Sequence, residues 1–395
     1  MLGKDVKSAE AILSHGELRA LIDLNGLNVQ GSSPLKPVME SPAQGDRGSF
    51  ARRGLLSDDW HSALCTLCGP RFEARSLVTF ADATAVNVFY SDGSAEGALV
   101  ACREEGDRVR IAFPIEPSQV ARADADALHT SHAPTPETGA VSMSLEAFNV
   151  LAAAVDALRA VLLTSILWRA AVPELVFRYE NLKEMLQSGI DSADARWLVT
   201  LLRVLAPPRC EPMPLDLDNG YRELLRLELL SEDGHGIWRP SQTLQRMAAY
   251  WKVPLPAGAH QTVSLRPKGT QQYRGCVTLR GDGPLWVVDY EGIGVEDASP
   301  RVRLRSVDRD VWFMEILGML TPQADMPRQA SRRTAPNQIL SPAGLPETVA
   351  PVKPEPAGKP APSSPPDTCA QCGVALRSGA RFCTQCGSVR GNPSA

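Results

Sequence analysis

Two Cys-x-x-Cys-Gly knuckles lie at the C-terminal end of this chain, Cys369-Ala-Gln-Cys372-Gly373 and Cys383-Thr-Gln-Cys386-Gly387, with ten residues from Gly373 to Phe382 between them. Two residues between paired cysteines put both thiolates on one side of a tight turn. The glycine that follows lets the backbone swing round and aim N–H groups at the sulfurs. Four such thiolates form a closed tetrahedral set, which suits a structural Zn2+ and leaves no open position for catalysis. Between the two knuckles Val374, Leu376 and Phe382 are the only large apolar residues. Metal binding, on the order of 10–16 kcal/mol in zinc-finger peptides, would therefore supply most of the module's folding free energy. Cys369, Cys372, Cys383 and Cys386 are the predicted metal ligands.

Ahead of the knuckles, Thr321 to Thr368 holds twelve prolines, no aromatic residue and no cysteine. Such a segment cannot bury enough apolar area to offset its ordering entropy, and reads as an extended, disordered tether. The body before it is ordinary in composition, at 44% hydrophobic and 22% charged for the whole chain, and long enough for more than one core. Charge is uneven: residues 321–395 carry eight Lys and Arg against four Asp and Glu, the remainder 33 against 41. An acidic body is a poor partner for a phosphate backbone.

The first residues show no apolar run followed by a small-residue cleavage site, so the expectation is a cytoplasmic protein. Leu145 to Val172 is strongly apolar but is broken by Glu146, Asp156, Arg159 and Arg169. It reads as a buried helix capped by Ser144, with no membrane insertion. In a reducing compartment the nine cysteines argue for metal or plain thiols over disulfides.

The body contains short strings that recur. Leu55-Leu-Ser-Asp-Asp59 returns as Leu229-Leu-Ser-Glu-Asp233, and Val100-x-x-Arg103-x-Glu105-Gly106 returns as Val277-x-x-Arg280-x-Asp282-Gly283. Each lies in a similar setting: helical periodicity (Glu17 to Ile22; Arg196 to Leu205 and Tyr221 to Leu227), then strand-like alternation. The expected strands are Thr84 to Tyr90, Ala98 to Arg103 and Arg108 to Ile115, then Gln261 to Leu265, Gly275 to Arg280 and Leu285 to Tyr290. A final amphipathic helix spans Asp308 to Leu320, with Val311, Phe313, Ile316, Leu317 and Leu320 as its apolar positions. The predicted class is α+β, with two pseudo-repeated units of helices followed by an antiparallel meander, at 1–143 and 144–320. A disordered linker at 321–367 and a four-cysteine module at 368–390 follow.

Other motifs carry less. Cys65-Thr-Leu-Cys68-Gly69 follows His61 by one turn and looks like half a metal site. Trp60, Leu64 and Leu67 nevertheless fall at helical spacing and Gly69-Pro70 forms a stop, which favours two buried helix cysteines. Cys102, Cys210 and Cys276 stand singly as structural residues. Gly292-Ile-Gly294 lacks the third glycine of a dinucleotide loop, no phosphate-binding Gly-x-x-x-x-Gly-Lys-Ser/Thr occurs, and His235 sits in a turn. The chain is not expected to be an enzyme.

The tail, Thr368 to about Val389, resembles the minimal zinc-ribbon modules found at the ends of many prokaryotic proteins, which dock on proteins or nucleic acid. In the body, Ser14-His-Gly-Glu-Leu-Arg-Ala-Leu-Ile22, Gly26-Leu27, Pro34-Leu35 and Ala51-Arg-Arg-Gly-Leu-Leu56 precede a short helix to Leu67. A strand at Trp286 to Tyr290, then Arg305-Ser-Val-Asp308 before the last helix, closes the second unit. This order resembles the EspG chaperones associated with ESX (type VII) secretion. It implies two pseudo-symmetric halves and a non-catalytic adaptor or chaperone that holds a protein client; the loops Ser91 to Gly97 and Arg266 to Gln272 are candidate contacts only because they read as exposed, and the resemblance supplies no binding residues. The alternative starts from Tyr221 to Ser241, which looks like the last helix and wing of a winged-helix DNA-binding regulator. Its helix offers only Arg222 and Arg226 against Glu223 and Glu228, so a protein partner is expected ahead of nucleic acid.

Overall fold

Both halves of the body start alike, with a short strand ending in a serine that caps the next helix. The computed structural model describes residues 8–322 apart from breaks at 81–82, 95–97, 134–138, 170, 172–174, 209, 213–216, 234–236, 252–255, 266–270, 282 and 294–299. The tail cysteines and nearly all of the tether lie outside the described residues.

In the first half, β1 (Ala9–Ser14) runs into α1 (His15–Leu24). The Ser14 hydroxyl accepts the Glu17 N–H and the Glu17 carboxylate accepts the Ser14 N–H, a reciprocal cap that satisfies two otherwise orphaned donors. Helices α2 (Arg47–Arg52) and α3 (Asp58–Cys68) follow, then a meander of β2 (Phe72–Phe80), β3 (Ala83–Ser91), β4 (Leu99–Glu105) and β5 (Arg108–Ile115), and α4 (Pro117–Ala127). Gly106, at φ 67°, makes the tight β4–β5 turn, a conformation in which a Cβ would be strained.

The second half repeats the plan with more helix. It runs β6 (Ala140–Ser144), α5 (Leu145–Trp168), α6 (Tyr179–Asp191), α7 (Leu198–Leu205), α8 (Leu217–Arg226), a small β7 (Leu230–Glu232) and β8 (Trp238–Pro240) hairpin, and α9 (Gln242–Tyr250). A second meander follows, β9 (Ala257–Leu265), β10 (Gln271–Leu279), β11 (Leu285–Glu291) and β12 (Arg301–Val307), then α10 (Arg309–Leu320). Ser144 caps α5 as expected, accepting the Ala147 N–H.

One ten-stranded sheet holds all of this together, in the order β1-β5-β4-β3-β2-β9-β10-β11-β12-β6. Read outward from the centre, each half has the same connectivity: four meander strands, then the opening strand returning as the edge. The halves meet at β2 and β9, which pair antiparallel from Phe72 opposite Ser264 to Thr79 opposite Ala257. The class is therefore α+β with a large antiparallel sheet.

Side chains alternate across that sheet. Phe89, Cys276 and Val287 enter a core under α4 and α10, which also pack on each other. Their neighbours Tyr90, Val277 and Val288 point to the other face. There Tyr90 joins a cluster under α1, α2 and α3, while Val277 and Val288 join the larger one built round α5. Leu285 to Val288 are all buried, because the middle of the sheet is covered on both sides.

The strings that suggested repetition do not mark equivalent positions. Leu55 to Asp59 leads into α3, with Ser57 as its cap, whereas Leu229 to Asp233 contains strand β7. Val100 lies in β4, the third meander strand, and Val277 in β10, the second. The positions with matching roles are the caps Ser14 and Ser144, Ser57 and Ser241, and Glu116 and Asp308. Of the expected apolar set of the last helix, Ile316 and Leu320 are buried and Phe313 and Leu317 partly so, whereas Val311 is exposed and Trp312 takes its place in the core.

Candidate functional site

The most unusual surface is the distal end of α5. From Leu145 to Leu158 this helix is buried on nearly every side, as befits the central rod of the larger cluster. Its expected burial does not extend to the end: Leu163, Ile166, Leu167 and Trp168 are 41, 63, 76 and 75% exposed. Leu163, Ile166 and Leu167 fall at i, i+3 and i+4 and so share one face, with Trp168 beside them. Arg169 ends the helix in the left-handed region, its N–H returning to the Ile166 and Ser165 carbonyls. Exposed apolar side chains gathered at one helix end form the kind of patch through which proteins meet partners or membranes.

A buried polar anchor holds the base of this overhang. Asp156 accepts the N–H groups of Leu198 and Val199 at 2.8 and 2.9 Å, capping α7, and pairs with Arg159 at 2.7 Å. Arg159 also donates to the Arg196 carbonyl at 2.6 Å and stacks over Trp197, 5.6 Å from its centroid. Burial pushes the Asp156 carboxyl above its ordinary range, opposed by Arg159 and by the two backbone donors. The helix is thus clamped one turn before its apolar end emerges.

On α3, Cys68 turns into the core while Cys65 and His61 are exposed, so the expected burial holds for one cysteine of the two. Among the described residues no three His, Cys, Asp or Glu side chains gather to hold a metal. Arg222 and Arg226 are exposed on α8, and a hairpin does follow that helix. Glu223 is engaged with the Ser144 N–H and Arg301. The loop after Ser91 starts with Asp92 accepting the Ser94 N–H and hydroxyl; residues 95–97, 234–236 and 266–270 lie outside the described residues.

Sequence reasoning missed a buried Ser-Asp-His cluster. Ser76 on β2 and His260 on β9 both bond Oδ2 of Asp124 on α4, at 2.7 and 3.0 Å. Separations of 48 and 136 residues leave no local signal. The hydroxyl donates to the carboxylate and not to the imidazole, so this is no nucleophile relay; it ties α4 to the strand seam. Beside it, between α10 and the sheet, a cavity of about 280 Å3 is lined by Cys276, Trp312 and Arg305 among others. Asp289 and Glu315 clamp the Arg305 guanidinium, each at 2.7 Å.

No protein-family model matches the chain, and no curated protein matches it.

Proposed function

We propose that this chain is a non-catalytic, cytoplasmic protein-binding adaptor, and that the apolar end of α5 grips an amphipathic helix of its client. The observation that carries this is Leu163, Ile166, Leu167 and Trp168 held in water by a helix clamped at Asp156 and Arg159. A tryptophan beside aliphatic residues on a rigid support is the kind of anchor that dominates binding energy. The shared connectivity of the two halves supports reading the body as a duplicated unit, the architecture implied by the likeness to EspG-type secretion chaperones.

Within this reading Cys369, Cys372, Cys383 and Cys386 hold one structural Zn2+, and the module docks on a partner through the tether. Four thiolates suit that role by chemistry, since they saturate the ion. Metal analysis of the purified chain should find one zinc per chain, lost in Cys369→Ser with Cys383→Ser.

Affinity capture from the native host, with nuclease and with a Leu167→Glu, Trp168→Glu variant in parallel, tests the main proposal. Small helical secretion substrates recovered by the wild type and lost by the variant would support it. Nuclease-sensitive recovery of DNA with transcription proteins, unaffected by the variant, would replace it with a DNA-binding regulator, the reading favoured by the α8 helix and β7–β8 hairpin order.

A further inference from the structure

The buried face of α3 carries Trp60, Ala63, Leu64, Leu67 and Cys68. His61 and Cys65, four residues apart, therefore share the opposite, solvent face. The Cys65 sulfur lies 3.5 Å from His61 Nε2, and His61 Nδ1 lies 3.0 Å from the side-chain oxygen of Asn25. Asn25 sits at the C-cap of α1, with its backbone N–H on the Asp23 and Leu21 carbonyls.

Asn25 fixes the direction of this chain of hydrogen bonds. Asn25 Nδ2 is 2.8 Å from the Leu21 carbonyl, which can only accept, so that atom is the amide nitrogen and Oδ1 faces the imidazole. An amide oxygen also only accepts, so the proton of neutral His61 sits on Nδ1. Nε2 then presents its lone pair to Cys65, and the thiol donates to it. This is the order of nucleophile, base and orienting group by which a thiol is activated.

We propose that Cys65 is a nucleophilic thiol that forms a mixed disulfide with small-molecule disulfides, with His61 as its base and Asn25 as a positioning residue. This goes beyond the adaptor reading and does not depend on it. His61 Nε2 takes the proton from Sγ; the thiolate attacks one sulfur of the disulfide, whose S–S bond breaks. The departing thiolate takes the proton back from the imidazolium, and Cys65 is left joined to half of the reagent, one disulfide consumed and one formed. Cys68 lies one turn on, but burial and then the neighbouring Cys65 push its thiol up to about 11, so it does not displace the adduct at neutral pH. The two elements also carry Asp58 and Asp59 in the first turn of α3, and Asp23 on α1, which is paired with Arg19.

The test uses the full chain and oxidised glutathione, with adducts located and timed peptide by peptide so that the tail cysteines are scored separately. At pH 7 Cys65 should be modified at least tenfold faster than Cys68, Cys102, Cys210 or Cys276. His61→Gln, a conservative change on an exposed face, should slow Cys65 about tenfold at pH 7, and Asn25→Ala by a smaller factor. At pH 9.5, where thiols ionise unaided, all three proteins should converge. A Cys65 rate at pH 7 that is the same in wild type and His61→Gln would overturn the proposal and leave Cys65 merely exposed. So would equal slowing at both pH values, which would report a structural defect.

Discussion

Ser76 and His260 stand opposite one another in the β2–β9 register, and both bond the same oxygen of Asp124. That carboxylate comes from the helix closing the first half, and His260 belongs to the first meander strand of the second, so one side chain fastens the seam. His260 also meets the Trp312 ring edge-on, with centroids 5.9 Å apart, and Trp312 donates to Thr278 at 2.8 Å. Asp124→Ala strands two buried donors and should cost about 3 kcal/mol in urea unfolding, because an unmet buried polar group costs its full desolvation. Asp124→Asn, which keeps an acceptor, should cost less. Equal losses in the two variants would show that a neutral acceptor oxygen at this position does not satisfy Ser76 and His260.

A larger loss is expected at the anchor of α5. Asp156→Ala leaves Arg159 buried without its carboxylate and removes the cap from Leu198 and Val199. Breaking one side of a buried pair typically costs about 3–5 kcal/mol. The double change Asp156→Leu, Arg159→Met should recover much of that stability, as measured by thermal and urea unfolding together.

The apolar end of the same helix should behave in the opposite way. Leu167 and Trp168 are about three-quarters exposed, so replacing both with glutamate should leave stability within about 0.5 kcal/mol. Binding of a dye that reports exposed apolar surface should fall. A marked loss of stability would mean that these side chains complete the core and are not an interaction surface.

Alkaline pH supplies a further check. Burial pushes the Cys68 and Cys210 thiols up to about 11 and Cys102 to about 12, with nearby Cys65, Glu211 and Glu104 adding to the effect. Their ordinary value is 9.0. The folded chain therefore holds protons that the unfolded chain releases. The stability these groups contribute is full below pH 9 and is lost as pH rises through 11 to 12. The urea midpoint in reducing buffer should fall between pH 9 and pH 10.5; a flat midpoint across that range would contradict their burial.

Much of the secondary structure could be read from local pattern, because local pattern is what drives it. α5 stands out through apolar residues at every turn and a serine cap, and α10 through its Asp308 cap. β5 and β11 stand out through alternation or an unbroken apolar run. Local pattern does not single out β1, β2, β6 or β12. Two are short edge strands paired on one side only, and β2 intersperses Glu73, Arg75 and Ser76 among its apolar residues. The Cys-x-x-Cys-Gly knuckles of the tail also belong to what sequence alone expresses, since ligand spacing is a local property.

Tertiary structure decided the rest. The halves share a connectivity that no repeated string records, because strand order depends on long-range pairing and burial, which many sequences satisfy. The short strings that did recur mark a helix cap against a hairpin strand, and a third meander strand against a second. The same limit hid the Ser76, Asp124 and His260 cluster, and it hid Asn25 behind His61 and Cys65. Hydrogen bonds between residues 36 to 136 positions apart exist only once folding has brought their elements together. Sequence determined which helices and strands could form; packing determined which side chains meet, which thiol stays in water, and which apolar turn of α5 is left uncovered.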